Sequence, residues 1–323
     1  MKLKRLSEGE LISAIRKDFS KKHPGLILGI GDDAAVVKVG KIQLIYTKDL
    51  LIEDVHFITS HQPAYFLGRK SLNINLSDIA AMGGKPRYAL LGLGVPPGSE
   101  KRWLEEFFSG FQSAAKESGV ALVGGDISQA RKITISVTIV GEGKNIIKRS
   151  GAKPGHHLYV SGTLGNAKQG LLLLRKGHSL GKDKKADPLL KAFLDPLPSL
   201  ALGQDLSRWR LASSMIDLSD GLSVDLSHLC RESGCGAEIY ERNLPLSPEL
   251  RVWQRNCFDF ALHGGEDYQL LFTVPQQKIE SIRRLQRKYS ITYIGRMKVG
   301  EKIHLVDRRG KRRLLEIKGY QHF

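Results

Sequence analysis

Cysteine is scarce in this chain. Cys230, Cys235 and Cys257 are the three thiols among 323 residues, and none forms a CxxC pair, which argues against a disulfide framework or a thiolate zinc site. No apolar run reaches the ~18–20 residues that a membrane span requires. The opening segment MKLKRLSEGELISAIRKDF is too polar for a signal peptide, so a cytoplasmic protein with no membrane association is expected. The usual nucleotide loops are missing too. There is no GxxxxGK[ST] sequence, and the nearest approach, Gly177-His-Ser-Leu-Gly181-Lys182-Asp183, is one residue short and lacks the hydroxyl after Lys182. Neither a protein-kinase glycine loop nor an H-R-D catalytic sequence occurs.

Acidic residues are the minority, 33 against 50 Lys and Arg, for a net charge of +17. Clusters such as Arg283-Arg284, Arg287-Lys288 and Arg308-Arg309-Gly310-Lys311-Arg312-Arg313 carry no accompanying nucleic-acid motif. They read as a solvated basic surface that draws in anionic nucleotide, and no specific nucleic-acid partner is expected.

The few acids are not scattered at random. In Ser214-Ser-Met-Ile-Asp217-Leu-Ser219-Asp220-Gly221-Leu-Ser-Val-Asp225 an apolar strand-like run ends in an acidic turn before a helix, so carboxylates should collect at a strand's carboxyl end, where open α/β sheets bind ligands. Asp32-Asp33, Asp49, Asp78, Gly125-Asp126 and Glu266-Asp267 repeat the theme of acids beside glycines or small polar residues. One Asp beside Gly is ordinarily a turn or a helix cap. Several together need a neutralising cation, and hard oxygen ligands favour Mg²⁺.

Those segments, GIGDDAAVV (29–37), VHF (55–57), NINLSDIAAMGG (73–84), VGGD (123–126), RSGAKPG (149–155), IDLSDGL (216–222), HGGEDYQLLF (263–272) and KGYQHF (318–323), resemble in order and over nearly the whole chain the thiamine-monophosphate kinases. These are ATP-dependent enzymes of the superfamily that includes aminoimidazole ribonucleotide synthetase. The resemblance implies a two-domain α/β (α+β) fold of that type, with residues 1–148 forming an N-terminal domain that pairs in a homodimer and residues 149–323 completing the ATP and substrate site. It implies several Mg²⁺ ions, with Asp33, Thr47, Asp49, Asp78, Asp126, Asp217 and Asp220 as ligands and Asp32 as an outer-sphere or alternate one. Asp126, Asp217 and Asp220 would be central to catalysis. Gly125, Asp126, Arg149 and Ser219 would meet ATP, and His56, Glu266 and Tyr320 would contact thiamine monophosphate. Two positions depart from the family's habit: Lys48 stands where a small hydroxyl residue is common, and Gln269 replaces an acid. The related selenophosphate synthetases carry a reactive Cys or selenocysteine near their start, whereas this chain has no Cys before Cys230.

The pattern of apolar residues predicts helices over residues 7–19, 64–82, 99–118, 166–175, 222–232 and 276–289, with Pro-interrupted helices up to about Trp209. Ser7-Glu-Gly-Glu10 reads as a capping box. Strands are expected at 36–37, 42–46, 89–93, 120–123, 133–140, 157–160, 215–218, 237–240, 260–262, 269–274 and 292–297. The turn cluster Arg149-Ser-Gly-Ala-Lys-Pro154-Gly155 is the expected domain boundary.

Overall fold

The protein is described by a computed structural model for residues 8–19 and 23–319; Ser7 and Tyr320 lie outside the described residues. In chain order the elements are α1 (Glu8–Phe19), β1 (Leu26–Leu28), β2 (Ala35–Val39), β3 (Ile42–Ile52), α2 (Ala64–Ala81), β4 (Lys85–Val95), α3 (Lys101–Ser118), β5 (Ala121–Gln129) and β6 (Thr134–Gly143). The second half contributes β7 (His157–Ser161), α4 (Asn166–Arg175), α5 (Asp187–Leu194), α6 (Leu200–Arg208), β8 (Ser214–Asp217), α7 (Leu222–Ser233) and β9 (Gly236–Tyr240). It ends with α8 (Pro248–Trp253), α9 (Cys257–His263), β10 (Leu270–Val274), α10 (Ile279–Leu285), β11 (Ile291–Lys298), β12 (Ile303–Val306) and β13 (Arg312–Leu314).

Each half builds one sheet. The first runs β1-β2-β3-β6-β4-β5 and the second β13-β12-β9-β11-β7-β10-β8. Helix–strand alternation suggests parallel α/β units, yet among the described strands only β4–β5 and β12–β9 pair in parallel. The ladders are otherwise antiparallel, and α+β is the apt description. The stretch 260–262, expected as strand, is part of helix α9; three apolar residues are too few to fix a period. The expected helix 276–289 is a 3₁₀ turn at Gln276–Lys278 followed by α10, which ends at Leu285.

Helix α2 is the axis of the molecule. Fifteen of its residues are buried, among them Arg69, Lys70, Asn73, Asn75 and Ser77, so it presents no solvent stripe and each polar side chain must find a partner inside the protein. On one side Leu67, Leu72 and Ile79 join Phe107 and Phe111 of α3 and Ile135 and Ile139 of β6. On the other, Ala80 and Ala81 pack with Leu202, Leu206, Met215 and Phe272 from the second half. The two halves therefore share apolar core across α2.

Close approach of α2 and α3 depends on two glycines. A Cβ on Gly68 would lie 2.0 Å from the Phe107 carbonyl oxygen, and one on Gly110 would lie 1.8 Å from that of Tyr65. Because backbone, not a flexible side chain, fills that space, Gly110→Ala should cost ~2–3 kcal/mol or more. Urea unfolding would register it as a lower midpoint, and an unchanged midpoint would mean the helices separate freely.

Candidate active site

Strand β3 and helix α2 bring the first acids together. The Thr47 hydroxyl donates to Asp78 Oδ2 in a short hydrogen bond, and the Asp49 backbone N–H donates to Asn75 Oδ1 at 3.0 Å. Thr47 is buried and Lys48 exposed, with Asp49 half-buried, which is the alternation a strand imposes. Lys48 thus projects away from the acids, and Lys48→Thr should change kcat/KM by less than about tenfold and leave the Mg²⁺ requirement unaltered. A large loss partly rescued by extra Mg²⁺ would instead put the ammonium in the site.

Strand β8 delivers Asp217 to the same place from the second half, where Ser77 Oγ donates to its Oδ2 at 2.7 Å. Asp33 arrives from the turn before β2. One carboxylate oxygen from each of Asp33, Asp78 and Asp217 lies within 4.8 Å of the others. Burial pushes the Asp217 carboxyl up to about 8, with the Asp33 charge adding to it. Asp78 is raised well above the usual range, first by burial and then by Asp49, Asp217 and Asp33. Burial likewise lifts Asp49 to about 6 and Asp32 to about 7.

Among the described residues, Arg149 is a cation paired directly with the cluster. Arg149 donates from Nη2 to Asp33 Oδ1 at 2.7 Å, while the Arg149 backbone N–H is held by both oxygens of Asp32 at 3.2 Å. Asp33 Oδ2 is nevertheless buried with no hydrogen-bond partner among the described residues. An orphaned carboxylate oxygen among converging acids of raised pKa fits a hard divalent cation. Asp78 does not cap its helix, as an Asp beside a helix end would; its carboxyl faces the cluster.

Two loops frame the cluster. The turn after β8 holds Ser219 and Asp220, and Asp225 Oδ2 accepts the backbone N–H of Gly221 at 3.0 Å and of Asp220 at 3.2 Å. The loop before β10 packs on that turn: Glu266 N–H donates to the Ser219 carbonyl at 2.7 Å and Tyr268 N–H to that of Leu218 at 2.8 Å. Glu266 and Tyr268 take φ of 66° and 47°, unusual for residues with a Cβ. Asp267 turns inward instead, accepting the N–H groups of Gly165 at 2.7 Å and Ala167 at 3.3 Å at the start of α4. Gln269 is structural, its Oε1 accepting from Ser161 Oγ at 2.8 Å.

Other expected site residues lie apart. Gly125 and Asp126 are on β5, the sheet's edge strand, exposed along its whole length. Gly125 is level with Asp49 through Leu91 and Val137, three strand spacings or ~14 Å along the sheet. Gly125, at φ 154°, also allows a close approach, since a Cβ there would sit 1.8 Å from the Leu91 carbonyl oxygen. His56 follows β3, and its Nδ1 accepts the Ile52 N–H at 3.0 Å.

Sequence reasoning assigned no role to Lys70, Asn75 or Ser77, for which the available signal was polar residues at positions of α2 that no solvent-facing stripe accounts for; Asp225, quoted in the acidic run, was given no part of its own.

A pair of mixed sheets clasping a carboxylate cluster at their shared helix defines the class. The family model for the AIR synthase related protein N-terminal domain matches residues 31–142 and that for the C-terminal domain residues 153–308. A thiamine-monophosphate kinase of Aquifex aeolicus (strain VF5) is 38% identical over the whole of both chains. That of Escherichia coli (strain K12) is 38% identical over 92% of each. The solved structure of AaThiL complexed with AMPPCP and TMP superposes with a TM-score of 0.89 at 37% identity, covering 100% of this chain and 99% of that one. The chain belongs to the AIR synthase related family and, within it, to the thiamine-monophosphate kinases.

Proposed function

We propose that this chain transfers the γ-phosphoryl group of ATP directly to the phosphate of thiamine monophosphate, giving thiamine diphosphate and ADP. The observation that carries the reading is the meeting of Asp33, Asp78 and Asp217 from three elements of both halves. Together with Thr47, Asp49 and Asp220 these acids would hold Mg²⁺, with Asp126 on β5 as a further ligand. Mg²⁺ held by these residues would supply charge neutralisation between the two anionic phosphates.

The residues of the chain do the rest. Ser77 and Thr47 orient the carboxylates of Asp217 and Asp78 by donating to them, so the acids are preorganised. Arg149, with Gly125, Asp126 and Ser219, would meet the nucleotide. Asp225 fixes the turn bearing Ser219 and Asp220 by accepting its backbone N–H groups. His56, Glu266 and Tyr320 would bind the aminopyrimidine and the cationic thiazolium, an aromatic face gaining ~0.5–2 kcal/mol from the cation.

Residues 1–148 would form the pairing domain of a homodimer. Strand β5 supports this, because Leu122, Val123 and Ile127 are 45%, 58% and 65% exposed on an unpaired edge, which ordinary edges avoid. Among the described residues no helix is long and apolar enough to cross a membrane.

The test is ADP release coupled to a reporter enzyme, with ATP, Mg²⁺ and thiamine monophosphate. Turnover dependent on both the acceptor and the metal is expected; ADP release indifferent to thiamine monophosphate would refute the assignment.

A further inference from the structure

We propose that Lys70 is a positioning residue for the acceptor substrate, holding the Glu266 carboxylate so that one oxygen faces the ligand. The inference rests on the reading that Glu266 contacts thiamine monophosphate.

Lys70 is a middle residue of α2 and is 2% exposed. Among the described residues its ammonium meets two partners, both from the second half of the chain: Glu266 Oε2 at 2.9 Å and the ring of Phe193, whose centroid is 3.7 Å from Nζ. A buried ammonium is tolerated only when its charge is met. The carboxylate supplies that charge and the ring face adds attraction, so the lysine is fixed from two sides. Glu266 is restrained in turn. Its N–H is bound to the Ser219 carbonyl, its backbone adopts φ of 66°, and one carboxylate oxygen belongs to Lys70.

The remaining oxygen is different. The Glu266 side chain is 30% exposed, and among the described residues Oε1 has no hydrogen-bond partner. A carboxylate with one oxygen tied and the other open presents a directed acceptor, suited to an N–H donor such as the exocyclic amine of an aminopyrimidine. Without Lys70 the carboxylate could rotate, and binding would have to order it. A direct role for Lys70 on a phosphate is disfavoured because its head lies beneath Glu266 and Phe193, closed to a dianion. Because Lys70 sits in the first half and both partners in the second, the contact also aligns the two halves where the acceptor would enter.

Four proteins decide the matter: wild type, Lys70→Met, Glu266→Gln and the double variant, with KM measured separately for thiamine monophosphate and for ATP. Lys70→Met should raise KM for thiamine monophosphate about tenfold or more, with KM for ATP and kcat within about threefold. The double variant should be no worse than the worse single variant, since both changes remove one function. Additive losses, or parallel increases in both KM values, would overturn the positioning role. If Glu266→Gln alone leaves KM for thiamine monophosphate unchanged, the assignment of Glu266 fails and the proposal with it. If Glu266→Gln raises it and Lys70→Met does not, only Lys70 is misassigned. Should Lys70→Met not fold, Lys70→Gln is measured in its place against the same outcomes.

Discussion

Asp217→Asn should lower kcat at least ~100-fold while making the metal-free protein more stable. Asn keeps the shape of the side chain and an oxygen that can accept from Ser77 Oγ, the partner of Asp217 Oδ2, so the fold should persist. What is lost is one negative charge at a site where three carboxylates converge. On the proposed reading that charge would help hold a cation that stabilises the transferring phosphoryl group, an effect of several kcal/mol. Without it, the same charge is a liability.

The pH dependence follows from the same balance. Burial holds the Asp217 carboxyl at about 8 against an ordinary 3.8, so between those values the folded state binds a proton that the unfolded chain has released. Stability of the metal-free protein should therefore fall as pH rises through that window. The Asn variant should show a shallower decline, and saturating Mg²⁺ should reverse the decline in wild type. Thermal unfolding at pH 6 and pH 8.5, with chelator or with Mg²⁺, measures all three. Near-normal turnover of the variant would make Asp217 structural, and an unaltered pH slope would place the buried charge elsewhere.

Residues whose meaning is local were legible from the sequence. Helix α4 occupies the expected 166–175, and the alternation of Ile133, Ile135, Val137 and Ile139 matches β6, whose inward residues are buried along its length. Acids beside apolar runs suggested only that carboxylates collect at a strand's carboxyl end; Asp33, Asp78 and Asp217 were named together by the family resemblance, and their side chains lie close together. Partnerships across long stretches of chain were not legible. Ser77 meets Asp217 over a separation of 140 residues and Lys70 meets Glu266 over 196, and no periodicity encodes such a pairing. Strands β12 and β13, four and three residues long, were missed because segments this short show no periodicity and become strands by docking, β12 on β9 and β13 on β12. Sheet direction was also opaque, since strand–helix alternation does not say which strands will lie side by side.

Free thiamine should support ADP formation at least ~1,000-fold more slowly than thiamine monophosphate. A phosphate monoester has its second pKa near ~6 and is already an anionic nucleophile at neutral pH, whereas the alcohol of thiamine must lose a proton as it attacks. Two of the histidines, His56 and His228, offer little help. His56 uses Nδ1 to accept the Ile52 N–H at 3.0 Å, so its neutral ring carries the proton on Nε2. His228 pairs its Nδ1 with Arg231 Nη2 at 2.8 Å. The clustered carboxylates, if they hold metal as proposed, would not be available as bases. Positioning and charge neutralisation remain, and these serve an acceptor that arrives ionised. The rate with thiamine monophosphate under kcat/KM conditions should accordingly rise with the second ionisation of that phosphate near ~6 and level off above it. A coupled assay on the two acceptors across pH 5–9 would decide the matter. Equal turnover, or a profile that climbs steadily to pH 9, would require a base within the protein and defeat the ionised-acceptor mechanism.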